Sequence, residues 1–374
     1  MLKKIKLEGF KAFAEEEVEF SNISILTGLN SSGKSSIIQA LRMWLEYKNK
    51  VPLNDPINNA TSPYLEGYGG YVELKSKYTN SGQPINITVT DNEMREETIR
   101  LLPENVWGYS EDRNGLDGSK IKIRNIEYIG ANRFGPMPFL PVKKHGIDDI
   151  TVGEKGEYCV SYFQSFSSAI INERLLHPST NSQVFKSQVD GWLEEIAPGT
   201  EVTFKEEERH DVSHIEINGY RASNTGFGIS YSLPILLASL ALTLQNDISK
   251  DISPQAQFWI SRNAEVAPVL LVENPEAHLH PRGQTAMGKL LSLVADCGVQ
   301  VIVETHSDHF LDGIRMQVRK GKISPEKVGI YFFEKDKEGK SIKNKISVDS
   351  KGKLDRWPKG FFDQSIDNLR ELTT

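Results

Sequence analysis

The chain has 374 residues, 38% hydrophobic, 9% aromatic and 25% charged, fractions ordinary for a packed protein rather than a disordered one. The length allows about two to three domains at roughly 150 residues each. A formal net charge of −6 gives no whole-surface attraction for nucleic acid, no apolar run reaches the ~18 residues of a membrane span, and two distant cysteines, Cys159 and Cys297, argue against a disulfide framework and for a reducing, cytoplasmic setting.

MLKKIKLEGFKAF alternates apolar residues with lysines and lacks the apolar stretch of a secretory signal. Residues 2–8 and 16–20 read as half-buried strands, and Ile23 to Thr27 as a short buried one. A glycine-bounded loop follows, then helical spacing over 34–46. From Tyr71 to about Ile129, YVELKSKY, INITVT, EETIRLL and KIKIRNIEYIG predict a mainly antiparallel β lobe. Residues 157–198 predict two helices, the second ended by Pro198-Gly199, and EVTFKEEE with HIEINGY a hairpin. An apolar helix opens at Gly226-Phe227-Gly228. Two continuously apolar strands, 269–272 and 299–303, each lead into a helix; a hairpin and a last helix close the chain. The alternation around the loop and again after residue 265 implies one parallel-sheet core built from both chain ends. The expected segments are 1–50 and 224–330 for that core, 51–150 for a β-rich lobe, 151–223 for a helical lobe with hairpin, and 331–374 for the closing hairpin and helix.

Gly28-Leu29-Asn30-Ser31-Ser32-Gly33-Lys34-Ser35 fits G-x-x-x-x-G-K-[ST] at every fixed position, between a strand and a helix. Glycines let the backbone curl its N–H groups toward phosphates, and the helix adds its positive end. Lys34 is placed to hold the β- and γ-phosphates of a nucleotide and Ser35 to hold Mg²⁺; Asn30, Ser31, Ser32 and Ser36 complete the loop. Val269 to Val272 then end in Glu273-Asn274-Pro275-Glu276, and a carboxylate at the C-terminal end of a neighbouring strand is where such folds hold the metal, which selects Glu273.

ENPEAHLHPRGQ (273–284), with GLNSSGKSS and ETHS (304–307), resembles the ABC-type ATPases grouped with OLD proteins and RecF/SMC-like ATPases. YIGANRFGP (128–136), GFGISYSLPIL (226–236) and WPKGFFDQ (357–364) look like a stand-alone subfamily with a C-terminal domain of unknown function. The resemblance implies an α/β fold: an ABC-type P-loop core with a mixed or parallel sheet, plus inserted β and helical lobes. It implies ATP and Mg²⁺ as ligands and His306 as the switch histidine at the γ-phosphate or attacking water. Asn224 to Ser230, with Gly226, Gly228 and Ser230, stand in for the signature segment that faces the nucleotide of a second subunit. Ala277 to His280 fall at that interface, and Arg133 near the γ-phosphate. One position departs: the second acid of the strand end is Asn274, an amide that can orient water but is a poor proton acceptor. Either Glu276 takes that role or hydrolysis is slow and ATP acts as a dimerisation switch.

His278, His280, His306 and His309 also carry the spacing of a metal-dependent phosphodiesterase. The phosphate loop accounts for His306 without such a metal, and His210 and His214 read as surface residues. The charged runs 205–211 and 335–345 read as solvated loop tips, the latter alternatively as a nucleic-acid contact. Trp357, Phe361 and Phe362 read as a packing plug or, alternatively, a docking patch. The functional expectation is an ATPase that forms a homodimer or higher homo-oligomer and controls a separate effector, a nuclease or toxin, in bacterial anti-phage defence. Related OLD proteins often add a Toprim nuclease domain, and no acidic cluster for one follows the core. The alternatives are an ATP-held scaffold with little turnover and a RecF/SMC-like DNA clamp, the latter disfavoured by the absence of sustained heptads.

Overall fold

The computed structural model describes residues 1–49, 71–101, 107–110, 121–143, 150–244, 251–362 and 364–373. In chain order the elements are β1 (Leu2–Phe10), β2 (Phe13–Glu19), β3 (Ile23–Gly28), α1 (Lys34–Asn49), α2 (Tyr71–Leu74), β4 (Ile85–Asp91), β5 (Glu96–Leu101), β6 (Trp107–Ser110), β7 (Ile126–Ile129), β8 (Leu140–Pro141), α3 (Cys159–Phe166), α4 (Phe185–Ile196), β9 (Val202–Glu207), β10 (Val212–Ile217), β11 (Tyr220–Arg221), α5 (Phe227–Ala241), α6 (Pro254–Glu265), β12 (Val269–Glu273), α7 (Pro281–Asp296), β13 (Gln300–Glu304), α8 (Asp308–Arg319), β14 (Val328–Lys335), β15 (Ser341–Ile346) and α9 (Gln364–Thr373). The fold is α/β. It divides into a first unit of Met1–Ser21, Leu26–Lys122 and Ile330–Ile346 and a second of Asn22–Ile25, Ile123–Gly329 and Ser347–Thr374, with β3 starting in one and ending in the other.

In the first unit an antiparallel sheet runs in the order β2-β1-β4-β5-β6. Its period-2 pattern sets the register: Ile5 lies opposite Val18 and Val89, and Ile87 opposite Ile99, all fully buried. Helix α1 buries Ile37, Ile38, Leu41, Met43 and Trp44, so its N-terminus is anchored by core packing. The second half of β3 runs beside β14, where the Leu29 N–H donates to the Phe333 carbonyl at 3.2 Å. Residues 71–78, expected as a strand, instead begin with the one-turn helix α2, where the Lys75 N–H donates to the Tyr71 carbonyl.

In the second unit β7, β12 and β13 are parallel, with Leu271 in register with both Tyr128 and Ile302. The start of β3 lies beside β13, through the Val301 N–H and the Asn22 carbonyl at 2.7 Å. Val269 to Val272 and Gln300 to Val303 are buried throughout, as strands covered on both faces must be. The segment 126–129, expected in the antiparallel lobe, pairs instead in parallel with β12: local alternation shows a strand but not its partner. The helix expected from about residue 158 to 176 stops at Phe166, and Ile170 forms a bridge with Val184. The expected hairpin forms as β9 and β10.

Helices α7 and α8, which follow β12 and β13, cross at two glycines. A Cβ on Gly288 would lie 2.1 Å from the Phe310 carbonyl oxygen, and one on Gly313 2.2 Å from that of Thr285. Backbone contact this close holds the two strand-ending turns in a fixed relation. At the chain's end Phe361 is fully buried against Trp357 and Phe362, a packing plug, while Trp357 stays half-exposed beside the Arg315 guanidinium. Among the described residues no helix is long and apolar enough to cross a membrane.

One carboxyl is held deep in this core. Glu127 on β7 accepts from the Thr151 hydroxyl at 2.8 Å and from the Val152 N–H at 3.3 Å, and burial pushes its pKa up from 4.5 to about 8. The folded chain therefore holds one more proton than the unfolded chain between those values. Its stability falls as pH rises through that window, by at most about 1.4 kcal/mol per pH unit, and levels off above it. Denaturation midpoints measured across the window will show this slope in the parent and lose it in Glu127→Gln; equal slopes would contradict the assignment.

Candidate nucleotide site

The loop between β3 and α1 is shaped by positions that tolerate no side chain. Gly28 sits at φ +138° and Gly33 at φ +104°, where L-residues are strained. A Cβ on Gly28 would lie 2.0 Å from the Phe333 carbonyl oxygen, and one on Gly33 2.5 Å from Phe13 Cζ. Ser31 adds a third left-handed residue at φ +60°. The chain thus curls between β14 and the Phe13 ring and delivers Lys34 and Ser35 to the first turn of α1. The buried Lys34 donates its Nζ to the carbonyls of Gly28 at 3.0 Å and Leu29 at 2.7 Å, which brings the cation back over the loop. Glycine-permitted curl, helix N-terminus, ammonium and hydroxyl fit a nucleotide's phosphates and Mg²⁺.

In the second unit the expected acids sit where β12 and β13 end, the edge at which parallel sheets bind ligands. Glu273 accepts from the Tyr128 hydroxyl at 3.0 Å. Asn274 takes a left-handed φ of +47°, donates its N–H to the Glu304 carbonyl at 2.8 Å, and keeps its side-chain Oδ1 buried without a hydrogen-bond partner. Glu276 spans the gap between the turns: its Oε1 accepts from the His306 N–H at 2.7 Å and its Oε2 from the Thr305 hydroxyl at 2.8 Å. Burial raises its carboxyl above the usual range against these bonds. The Ser307 hydroxyl caps α8 through the Phe310 N–H and meets Gln284 Oε1 on α7 at 2.5 Å.

Arg133 is 3% exposed and aims its guanidinium at main chain, with Nη1 donating to the carbonyls of Gly130 at 2.8 Å and Glu273 at 2.7 Å, and Nη2 to that of Asn274 at 2.6 Å. Burial lowers its pKa to about 10, leaving it charged at neutral pH. Gly226 caps α5 and is exposed; Gly228 lies under the His278 carbonyl, where a Cβ would come within 2.8 Å; Ser230 is in the first turns of the same helix. The four histidines have separate surroundings. His278 packs on Phe227 and Tyr231, His280 caps α7 through the Arg282 N–H, His306 Nε2 lies 4.0 Å from Glu304 Oε1, and His309 lies beside Asp308. Among the described residues no three His, Cys, Asp or Glu side chains gather as metal ligands.

Three residues of this neighbourhood escaped the sequence reading. Tyr128 lies in a predicted strand and opens the motif YIGANRFGP, with no role assigned to it there, and its hydroxyl donates to Glu273 at 3.0 Å. Glu304 is the register partner of Glu273, a pairing visible only once β12 and β13 are known to be neighbours. Tyr231 lies inside an apolar helix and gave no signal. The lysines of the 335–345 run are largely answered within their own unit: Lys343 meets Glu16 at 2.9 Å, Lys345 meets Glu19 at 3.1 Å and Lys340 meets Glu338 at 2.7 Å.

Gly33→Ala tests the loop directly, because its Cβ meets Phe13 at an already strained φ. A titration with a fluorescent ATP analogue will show at least about tenfold weaker binding, and urea unfolding a loss of about 1–3 kcal/mol. Unchanged affinity would contradict the role given to the loop.

Residues 4–184 match a family model described as an AAA domain and residues 173–311 one described as an AAA ATPase domain. Residues 323–372 match one described as a protein of unknown function (DUF3696). The DNA replication and repair protein RecF of Synechocystis sp. (strain ATCC 27184 / PCC 6803 / Kazusa) is 31% identical over 104 residues, 26% of this chain; the chain spans only 27% of that protein's length. The Smc head domain with an extended coiled coil, bound to the C-terminal domain of ScpA and derived from Pyrococcus furiosus, aligns at 15% identity and a TM-score of 0.48, over 100% of this chain and 99% of that one. The SMC head domain from Thermotoga maritima aligns at 16% identity and 0.41, over 93% and 99%. The loop's fixed-position motif and the two ATPase-domain matches agree: the chain carries an ATP-binding P-loop ATPase domain, part of which is similar in sequence to RecF.

Proposed function

We propose that this protein is a slow ATPase that pairs two copies around ATP and Mg²⁺ and, through that cycle, controls a separate effector protein. The observation that carries the reading is the phosphate loop, whose curl, buried Lys34 and helix-borne Ser35 suit nothing as well as a nucleoside triphosphate. Lys34 would hold the β- and γ-phosphates, the backbone of Gly28 to Ser36 would cradle them, and Ser35 and Glu273 are the residues that would hold Mg²⁺. Bound Mg²⁺ neutralises phosphate charge. His306 would serve the γ-phosphate or its attacking water, as in the ABC-type ATPases that the motifs resemble.

Asn274 orients that water without being able to take its proton. Glu276, raised in pKa by burial and fixed beside His306, accepts the proton instead. A base already committed to two hydrogen bonds accounts for slow turnover. That slowness suits a switch in which the ATP-bound pair is the long-lived state.

The second unit offers a surface for such pairing. A cavity of about 570 Å³ is lined by Gly226, Gly228, His278, His280 and Arg282, among others. It combines the exposed N-terminal end of α5 with an exposed guanidinium, a combination suited to the phosphates of a nucleotide held by a second copy. Anti-phage defence, with a nuclease or toxin as effector, is the biological setting we favour, as in the OLD-like proteins that the sequence motifs resemble. Asn274 also favours a second reading, an ATP-held scaffold with almost no turnover that restrains its partner.

Phosphate release by the purified chain separates the two. The first reading predicts Mg²⁺-dependent turnover that Lys34→Ala abolishes and Glu276→Gln lowers by on the order of a hundredfold with ATP still bound. ATP binding without any release selects the scaffold. Absence of ATP binding in the parent would overturn both.

A further inference from the structure

Arg133 touches two parts of the second unit that have no sequence relation. On one side its guanidinium holds the carbonyls of Glu273 and Asn274, the residues that end β12. On the other its Cζ lies 5.0 Å from the centre of the Tyr231 ring on α5, in cation–π range. Tyr231 in turn meets the His278 ring edge-on at 4.6 Å, and Phe227 lies 5.3 Å from His278. Phe227 also covers Gly135, where a Cβ would come within 2.4 Å of its ring. The half-exposed start of α5 is thus joined through aromatic rings and one buried cation to the backbone of the acid-bearing turn.

Asn274 and His278 both hold left-handed φ, at +47° and +60°, and the Asn274 Oδ1 is buried without a partner. Asn and His enter that region more readily than other side chains but still at a cost, so their surroundings help to hold them there. Arg133 is well placed to do so at Asn274, since it binds the carbonyls on either side of that residue's α-carbon.

We propose that Arg133 and Tyr231 are positioning residues forming a relay that couples the signature end of α5 to the strand-end residues Glu273 and Asn274, so that engagement of α5 by a second copy sets the catalytic geometry. The inference rests on the ATPase reading above. It assigns Arg133 a task through main-chain carbonyls rather than through the γ-phosphate.

A double-mutant cycle on steady-state ATP turnover tests it, with Tyr231→Leu, Arg133→Lys, their combination, Tyr231→Phe, the parent and Lys34→Ala. Tyr231→Leu removes the ring without touching the acids; Arg133→Lys keeps the charge and loses the two-carbonyl fork. The relay predicts a kcat loss of about tenfold in each, an ATP KM within about twofold of the parent, and no further loss in the double variant. Tyr231→Phe, which keeps the ring, restores most of the turnover. Losses that multiply in the double variant, a Tyr231→Leu chain that turns over like the parent, or losses confined to KM would overturn the relay while leaving the ATPase reading intact. A parent with no Lys34-dependent turnover would overturn both.

Discussion

Side chains that spend their hydrogen bonds on backbone hold the two strand-ending turns of the second unit. Arg133 grips the carbonyls of Glu273 and Asn274; Glu276 grips the N–H of His306. Charge-assisted bonds to main chain are stronger than neutral ones and leave little freedom in the groups they fix. Their effect is compounded by the parallel register of β12 and β13 and by the glycine crossing of α7 and α8 behind them. The turns that follow β12 and β13 are therefore joined directly, through Glu276 to the His306 N–H and the Thr305 hydroxyl.

The same principle, side chains excluded so that backbone can come close, shapes the phosphate loop in the first unit. There Gly28 and Gly33 let the chain run against Phe333 and Phe13, and the curl that results is what phosphates require. The loop was legible from sequence because its chemistry dictates its spacing: glycine, glycine, lysine and serine stand at fixed offsets, and strand and helix flank them. The strands β12 and β13 were legible because buried parallel strands are continuously apolar, the helices α7 and α8 because they carry the 3.6-residue period, and α5 as a largely apolar run too long for a strand.

What was not legible depended on partners. β7 reads as a strand in any context, and nothing local says that it lies beside β12 rather than in the antiparallel sheet. YVELKSKY alternates as a strand does, yet its first four residues close a helical turn. Arg133 was singled out through its motif, but a sequence cannot show that its guanidinium reaches the carbonyls of Gly130, Glu273 and Asn274. Glu304 and Tyr128 became visible only with the register of the sheet. Asn274 is the instructive case: its side chain announced a departure in chemistry, and its left-handed backbone, which Asn tolerates better than Glu, supplies a conformational reason for it.

On the reading proposed above, the acid-bearing turn is held through its backbone by Arg133, its second strand-end position is the amide Asn274, and α5 is tied to it through Tyr231. Such a design favours a nucleotide-bound pair that persists over one that cycles quickly. The most direct test is the molar mass of the purified chain by light scattering with ATP and Mg²⁺, with ADP, and with Lys34→Ala in ATP. The account predicts a doubled mass in ATP alone, reverting in ADP and absent in Lys34→Ala. A mass that ATP leaves unchanged, at concentrations where ATP is bound, would contradict it.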